Sequence, residues 1–211
     1  MSVDDDRTAE QREAHAEDRA AAKRTLRREL RARLQALPRA AFVDAGAAVA
    51  HHLAPRLPPR GIVASFAGRD DEIATAPLHA LARARGLAVA LPRMDGDALA
   101  FVVVDDEGAL PRDRFGIAAP PAEGEVVPLS ACGLVVVPGL AFDERGGRLG
   151  HGRGFYDRAL AGAAVVDRSV VDRAVGVFLD EQCVARVPVD AHDVRLRCVC
   201  TPTRGLVVVD E

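Results

Sequence analysis

The chain is expected to fold as one three-layer α/β domain, Rossmann-like, with a mostly parallel twisted sheet flanked by helices. Three observations carry this expectation. Short apolar runs at 62–66, 87–91 and 134–137 are continuous rather than alternating, as in strands buried on both faces. Segments with helical spacing or helix boundary signals separate several of them, the order that builds a parallel sheet. A length of 211 residues suits one ordinary domain, and no repeat of fixed period is visible.

Residues 1–22 carry seven acids, three arginines and many alanines, and read as a disordered or weakly helical extension to a domain spanning 23–211. The balance then reverses, with seven basic groups and one acid over 23–39. Leu26, Leu30, Leu34 and Leu37 recur at helical spacing, so an amphipathic helix is expected to stop before Pro38. A second helix fills about 40–54, ahead of Pro55 and the Pro58-Pro59 pair. Gly61 to Phe66 is the first strand. Thr75 is the expected N-cap of a helix over 76–85, with Pro77 in its first turn. Strands follow at Leu87–Leu91, closed by Pro92, and at Leu99–Val104. Residues 105–131 are rich in Pro and Gly and read as mostly irregular. The strand at 134–137 leads into a Gly-rich loop, and a helix runs from Phe155 to about Val166. Ala174–Leu179, Arg197–Thr201 and Leu206–Val209 are late strands.

Composition narrows the functional classes. A net charge of -3 gives no electrostatic footprint for nonspecific nucleic-acid binding. No run approaches the roughly 18 apolar residues of a membrane span. The acidic N-terminus has no signal-peptide core, so a cytoplasmic protein is expected. The four cysteines form no Cys-x-x-Cys pair and read as buried reduced thiols, with Cys198 and Cys200 on one face of a strand. Lys23 is the single lysine among 28 basic residues. As a compact point charge, Lys is not always replaceable by Arg.

Three constellations could carry chemistry. The segment 138–158 places Gly146, Gly147, Gly150, Gly152 and Gly154 among Arg148, His151 and Arg153 and ends past Asp157. It lacks the Walker pattern and misses Gly-x-Gly-x-x-Gly by one residue. Lying after a strand and before a helix, it still suits an anion; a tight turn that needs glycine is the alternative. Lys23, Arg27 and Arg31 form a stripe at four-residue spacing, which taken alone reads as a solvated helix face. Arg69-Asp70-Asp71-Glu72 follows a strand, at the edge where open α/β sheets bind ligands. An acidic capping turn is its plainer reading. His51-His52 has no neighbouring acid or Cys, and Ser65 lies in no nucleophile elbow.

Together these pieces resemble the 5-formyltetrahydrofolate cyclo-ligase family. The resemblance is colinear from Lys23 to Thr201. It rests on Lys23-Arg24-Thr25-Leu26-Arg27, Asp71-Glu72-Ile73-Ala74-Thr75, Pro92-Arg93, the long motif from Pro138 through Asp157, and the segments Phe178–Gln182 and Pro188-Val189. It implies ring closure of 5-formyltetrahydrofolate, polyglutamylated or not, with ATP as co-substrate and Mg²⁺ as cofactor. A monomer that binds neither nucleic acid nor membrane is expected. Lys23, Arg27, Arg148, Gly150, His151, Gly152, Arg153, Gly154, Phe155 and Tyr156 would bind ATP. Glu72 and residues His151, Gly152, Arg153, Gly154 and Phe155 would contact the folate. Asp157 would hold the metal, and Arg148, Arg153 and Glu72 would act in catalysis. The chain departs from the family in three places. His151 stands where many members carry a basic residue, Phe155 replaces a Tyr, and Arg197 occupies the place of a second metal-binding Asp. The last departure motivates a rival reading, a catalytically weak relative that binds folate or nucleotide as a regulatory module.

Overall fold

The computed structural model describes residues 3–69, 71–112 and 118–209, with side chains from residue 11 onward. Among these residues ten strands and four α-helices follow one another as α1 (Val3–Gln35), α2 (Arg39–Leu53), β1 (Ile62–Ala64), α3 (Ala76–Ala84), β2 (Ala88–Asp95), β3 (Ala98–Val104), β4 (Val126–Val127), β5 (Cys132–Val137), β6 (Ala141–Phe142), β7 (Arg148–Leu149), α4 (Phe155–Val166), β8 (Ala174–Val177), β9 (Cys198–Thr201) and β10 (Gly205–Val208). Eight strands form the main sheet in the order β10-β9-β8-β5-β1-β2-β3-β4, and β6 pairs with β7 separately. The five central strands are parallel; β3, β4 and β10 join antiparallel at the two edges.

The α/β expectation therefore holds, and side-chain alternation explains the layers. In β5, Leu134 and Val136 belong to the core under α1, α2 and α3, while Val135 and Val137 belong to the core under α4. A strand that must be apolar on both faces reads as a continuous run. Cys198 and Cys200 share the first of these faces, and all four cysteines are free. Burial pushes the Cys132 thiol up to about 11 and the Cys200 thiol up to about 12, so both stay protonated and inert. No helix among the described residues is long and apolar enough to cross a membrane.

Several local expectations change. Residues 3–22 take the helical alternative and continue directly into the amphipathic segment as one 33-residue helix. Alanine and long polar side chains lose little rotamer freedom in a helix. Docking through Leu30 and Leu34 gives that helix its anchor. Pro92 does not close its strand: β2 runs on to Asp95 and pairs Pro92 with Phe101 of β3. Pairing with β1 ends at Ala90, so on that side position 92 needs no donor. Thr75 occupies the cap position of α3 but makes no side-chain cap. Its hydroxyl donates instead to the carbonyl of Phe66, which closes the 66–75 loop on itself.

The topology also locates a switch point. Successive connections step one way from β1 to β2 and the opposite way from β5 to β8 and β9. The switch point lies between β1 and β5, at the carboxyl ends of these strands, where open α/β sheets bind ligands. The 65–75 loop leaves β1 there, and the Gly-rich segment leaves β5.

Candidate active site

The Gly-rich segment does two jobs. Its first part is a hairpin in which Ala141 pairs with Leu149 and Phe142 with Arg148. Asp143, buried at 2% exposure, accepts backbone hydrogen bonds from Arg145, Gly147 and Val187. Gly146 has φ +75°, and a Cβ there would lie 2.1 Å from the Leu196 carbonyl oxygen. Gly146 and Gly147 thus serve the turn, as the plainer reading allowed. Gly150, Gly152 and Gly154 lie beyond it and line cavities. Gly154, at φ +62°, ends the loop and caps α4.

Two cavities meet at this loop. The larger, of about 530 Å³, has an apolar side made by Phe66, Pro92, Met94, Leu99 and Phe155 and a polar side that includes Glu72, His151, Arg153 and Tyr156. The smaller, of about 80 Å³, is walled by Lys23, Arg27, Gly152, His192 and Asp193. Arg148, Gly150, Gly154 and Asp157 line both. All the residues expected to bind ligands therefore come together. They divide into Lys23, Arg27 and Gly152 on the small side and Glu72, His151, Arg153, Phe155 and Tyr156 on the large side.

The basic stripe of α1 is not a solvated face. Arg27 Nε donates to the Gly150 carbonyl at 2.9 Å, and Arg31 Nη2 donates to the His151 carbonyl at 3.2 Å. Lys23 Nζ lies 2.6 Å from Asp190 Oδ2 and 2.5 Å from Asp193 Oδ2, and Arg19 Nε meets Asp190 Oδ1 at 2.7 Å. Burial alone would lower the Lys23 pKa, but the hydrogen bonds and charges of the two aspartates outweigh it and raise it, so the ammonium persists. Asp190 was not foreseen, because its partners precede it by 167 and 171 residues and no local pattern marks it.

On the large side, Glu72 Oε1 accepts from His151 Nε2 at 3.0 Å, and its Oε2 accepts from the Arg69 amide at 3.1 Å. Burial alone would raise the Glu72 pKa; the bond to His151, with that amide and the Arg69 charge, lowers it. Arg69 Nη2 lies 2.9 Å from Asp71 Oδ2 and 3.5 Å from His151 Nδ1. Asp70 falls outside the described residues. Tyr156 carries a buried hydroxyl with no hydrogen-bond partner among the described residues. Burial, then the charge of Glu72, push this phenol far up despite Arg148, so it remains a neutral donor.

Asp157 Oδ1 accepts from Arg148 Nη2 at 2.6 Å and from the Val194 amide at 3.2 Å. Among the described residues none donates to its other oxygen, Oδ2. An accessible carboxylate oxygen left open on a largely buried side chain, where the cavities join, suits a hard divalent cation. Arg197 pairs with Asp172 at 3.0 Å and lines neither cavity. Ser65 and His79, joined at 2.8 Å and both fully buried, also line neither cavity; His79 bonds onward to Glu107 and ties the segment after β3 to α3. His52 merely meets the Pro202 carbonyl.

Residues 19–202 match the pattern of the 5-formyltetrahydrofolate cyclo-ligase family. The 5-formyltetrahydrofolate cyclo-ligase of Mycolicibacterium smegmatis is 36% identical over 105 residues, which is 48% of this chain and spans only 50% of that protein. The 5-formyltetrahydrofolate cyclo-ligase of Escherichia coli K12 is 34% identical over 146 residues, 67% of this chain and 78% of that protein. Among solved structures, the 5,10-methenyltetrahydrofolate synthetase of Aquifex aeolicus matches with a TM-score of 0.72 and 26% identity, covering 90% of this chain and 93% of that one.

Proposed function

The chain belongs to the 5-formyltetrahydrofolate cyclo-ligase family, and from that membership we propose that it converts 5-formyltetrahydrofolate to 5,10-methenyltetrahydrofolate with ATP and Mg²⁺, releasing ADP and phosphate. The observation that carries this reading is the junction of two unlike cavities at one loop. The 530 Å³ space, apolar on one side, suits a pteridine and its aryl tail. The 80 Å³ space beside Lys23 and Arg27 has the size and charge for phosphate groups rather than a whole nucleotide.

In this mechanism the formyl oxygen on N5 attacks the γ-phosphorus of ATP, and ADP leaves. The formyl carbon, now bonded to a phosphorylated oxygen, is attacked by N10, and phosphate departs as the five-membered ring closes. Phosphoryl transfer needs positioning and charge neutralisation more than covalent help. Lys23 and Arg27 would hold the phosphates from α1. Arg148, at the junction, would neutralise charge on the oxygen being transferred, and Arg153 would do so from the rim of the large cavity. Gly150, Gly152 and Gly154 let the backbone approach both ligands. Glu72 would orient the formyl end of the folate, and Phe155 and Tyr156 would pack against it. Mg²⁺, held by Asp157 with Asp193 facing the same cavity, would supply the charge that the β- and γ-phosphates need.

The rival reading, a catalytically weak binding relative, was motivated by Arg197. That side chain pairs with Asp172, and position 197 still offers no carboxylate to a metal. Incubation with ATP, Mg²⁺ and 5-formyltetrahydrofolate tests the choice. The methenyl chromophore should appear with one ADP per product and should vanish when ATP is omitted. Intact binding of both ligands without product would favour the binding relative.

A further inference from the structure

Ring closure leaves one proton unassigned. When the N10 lone pair bonds to the formyl carbon, the hydrogen on N10 must depart, and the carbon–oxygen bond to the departing phosphate must break with its electron pair. Four titratable side chains other than arginine line the large cavity among the described residues: Glu72, His151, Tyr156 and Asp157. Tyr156 is held neutral by burial, so it can give a hydrogen bond but takes no proton. Asp157 is paired with Arg148 at 2.6 Å. Glu72 is paired with His151, and its net shift is downward, which makes it a poor proton acceptor. His151 is the one whose ordinary basicity lies near neutrality.

Its surroundings fit that task. A carboxylate oxygen 3.0 Å from Nε2 requires the hydrogen of the neutral ring to sit on Nε2, which leaves the lone pair on Nδ1. Among the described residues, the contact to Nδ1 is the long 3.5 Å approach of Arg69 Nη2, a nitrogen already bonded to Asp71 at 2.9 Å. A charged carboxylate behind an imidazole stabilises the imidazolium that forms when the far nitrogen takes a proton. The charged groups around it come from three elements. Glu72 and Arg69 rise from the loop after β1, Arg31 of α1 grips the His151 carbonyl, and Arg148 and Arg153 share its own loop. His151 also sits next to Gly150, which lines both cavities, so it borders the place where phosphate and folate must meet.

Building on the proposed cyclo-ligase reaction, we propose that His151, backed by Glu72, is the general base that takes the N10 proton as the ring closes. The proton passes to Nδ1, the phosphate leaves with the carbon–oxygen pair, and the imidazolium returns the proton to solvent through its partly exposed edge. An arginine at this position could not act in this way. Glu72 gains a second duty as the positioning residue for the imidazole.

Single-turnover formation of the methenyl chromophore, at saturating ATP and folate over a series of pH values from acid to alkaline, tests the role. The wild-type rate should rise with pH along an acid limb and then level, as a general base requires. His151→Gln should lose this acid limb and fall by about a hundredfold on the plateau. Added imidazole should restore part of the rate to His151→Ala, which a purely structural role would not allow. Wild-type protein that yields no methenyl product would overturn the cyclo-ligase reading and this role with it. Turnover by the wild type, beside a His151→Gln protein with the same rate and the same acid limb, would overturn the base alone.

Discussion

Lys23 and Glu72 stand on opposite sides of one loop, and the division of labour between the cavities should be measurable on them separately. Lys23 faces the small cavity from α1 and is the shared partner of Asp190 and Asp193. Replacing it removes a cation and leaves two carboxylates beside the phosphate space. Each ionised hydrogen bond is worth about 1.5 to 3 kcal/mol, so Lys23→Ala should raise the KM for ATP about tenfold to a hundredfold and leave the KM for 5-formyltetrahydrofolate within about twofold. Glu72→Ala should show the reverse pattern, with impaired folate use and ATP binding spared. Steady-state kinetics with each substrate varied in turn reads both. Equal effects on both constants in either variant would contradict the two-cavity assignment. Lys23 drew notice as the single lysine, but its pairing with Asp190 and Asp193 could not be read locally. The sequence separation is too great for spacing to report it.

At the level of elements, the site depends on how closely the loop after β1 approaches α2. The Ala74 amide donates to the Phe42 carbonyl at 3.1 Å, and a Cβ on Gly46 would lie 2.2 Å from the Ala74 carbonyl oxygen. Both neighbours are backbone, so neither can swing aside. Gly46 sits in the middle of a helix, where glycine is unfavourable by about 0.5 to 1 kcal/mol relative to alanine. Here the close approach offsets that loss. Gly46→Ala should therefore destabilise the protein by about 1 to 3 kcal/mol, the usual range for overpacking, despite its better helix propensity. It should also displace the loop that carries Glu72, raising the KM for folate more than that for ATP. Denaturant unfolding and the same kinetics check both halves. A more stable Gly46→Ala protein would mean that helix propensity outweighs the contact.

Across the whole molecule, the parts written in local periodicity were legible and the parts made by long-range meetings were not. The continuous run at 134–137, the helix from Phe155 to Val166 and the late strands appear where the pattern put them. The β6–β7 hairpin did not announce itself, because two-residue strands have no period to read. The clamp between α1 and the 190–194 segment joins opposite ends of the chain, and only the family motif hinted that Lys23 belonged near the loop. That clamp also bears on where the working domain begins, which we place at residue 23 with the preceding residues as an extension. Residues 11–19 are exposed, and among the described residues the first ion pair met along α1 joins Arg19, 43% exposed, to Asp190. Such exposed pairs contribute about 0.2 to 1 kcal/mol. The helix remaining after removal of residues 1–18 keeps Lys23, Arg27 and Arg31 and the fully buried Leu30, whose burial alone is worth about 1.5 to 3 kcal/mol. A protein lacking residues 1–18 should therefore retain kcat/KM for both substrates within about twofold and lose no more than about 1 kcal/mol of stability. Extending the deletion through Lys23 should abolish efficient ATP use, because it removes the cation at the small cavity and leaves Asp190 and Asp193 without it. Turnover assays and thermal unfolding on the two truncations, side by side, separate an extension from an integral part of the site. A large loss already in the shorter deletion would move the start of the domain into the acidic segment.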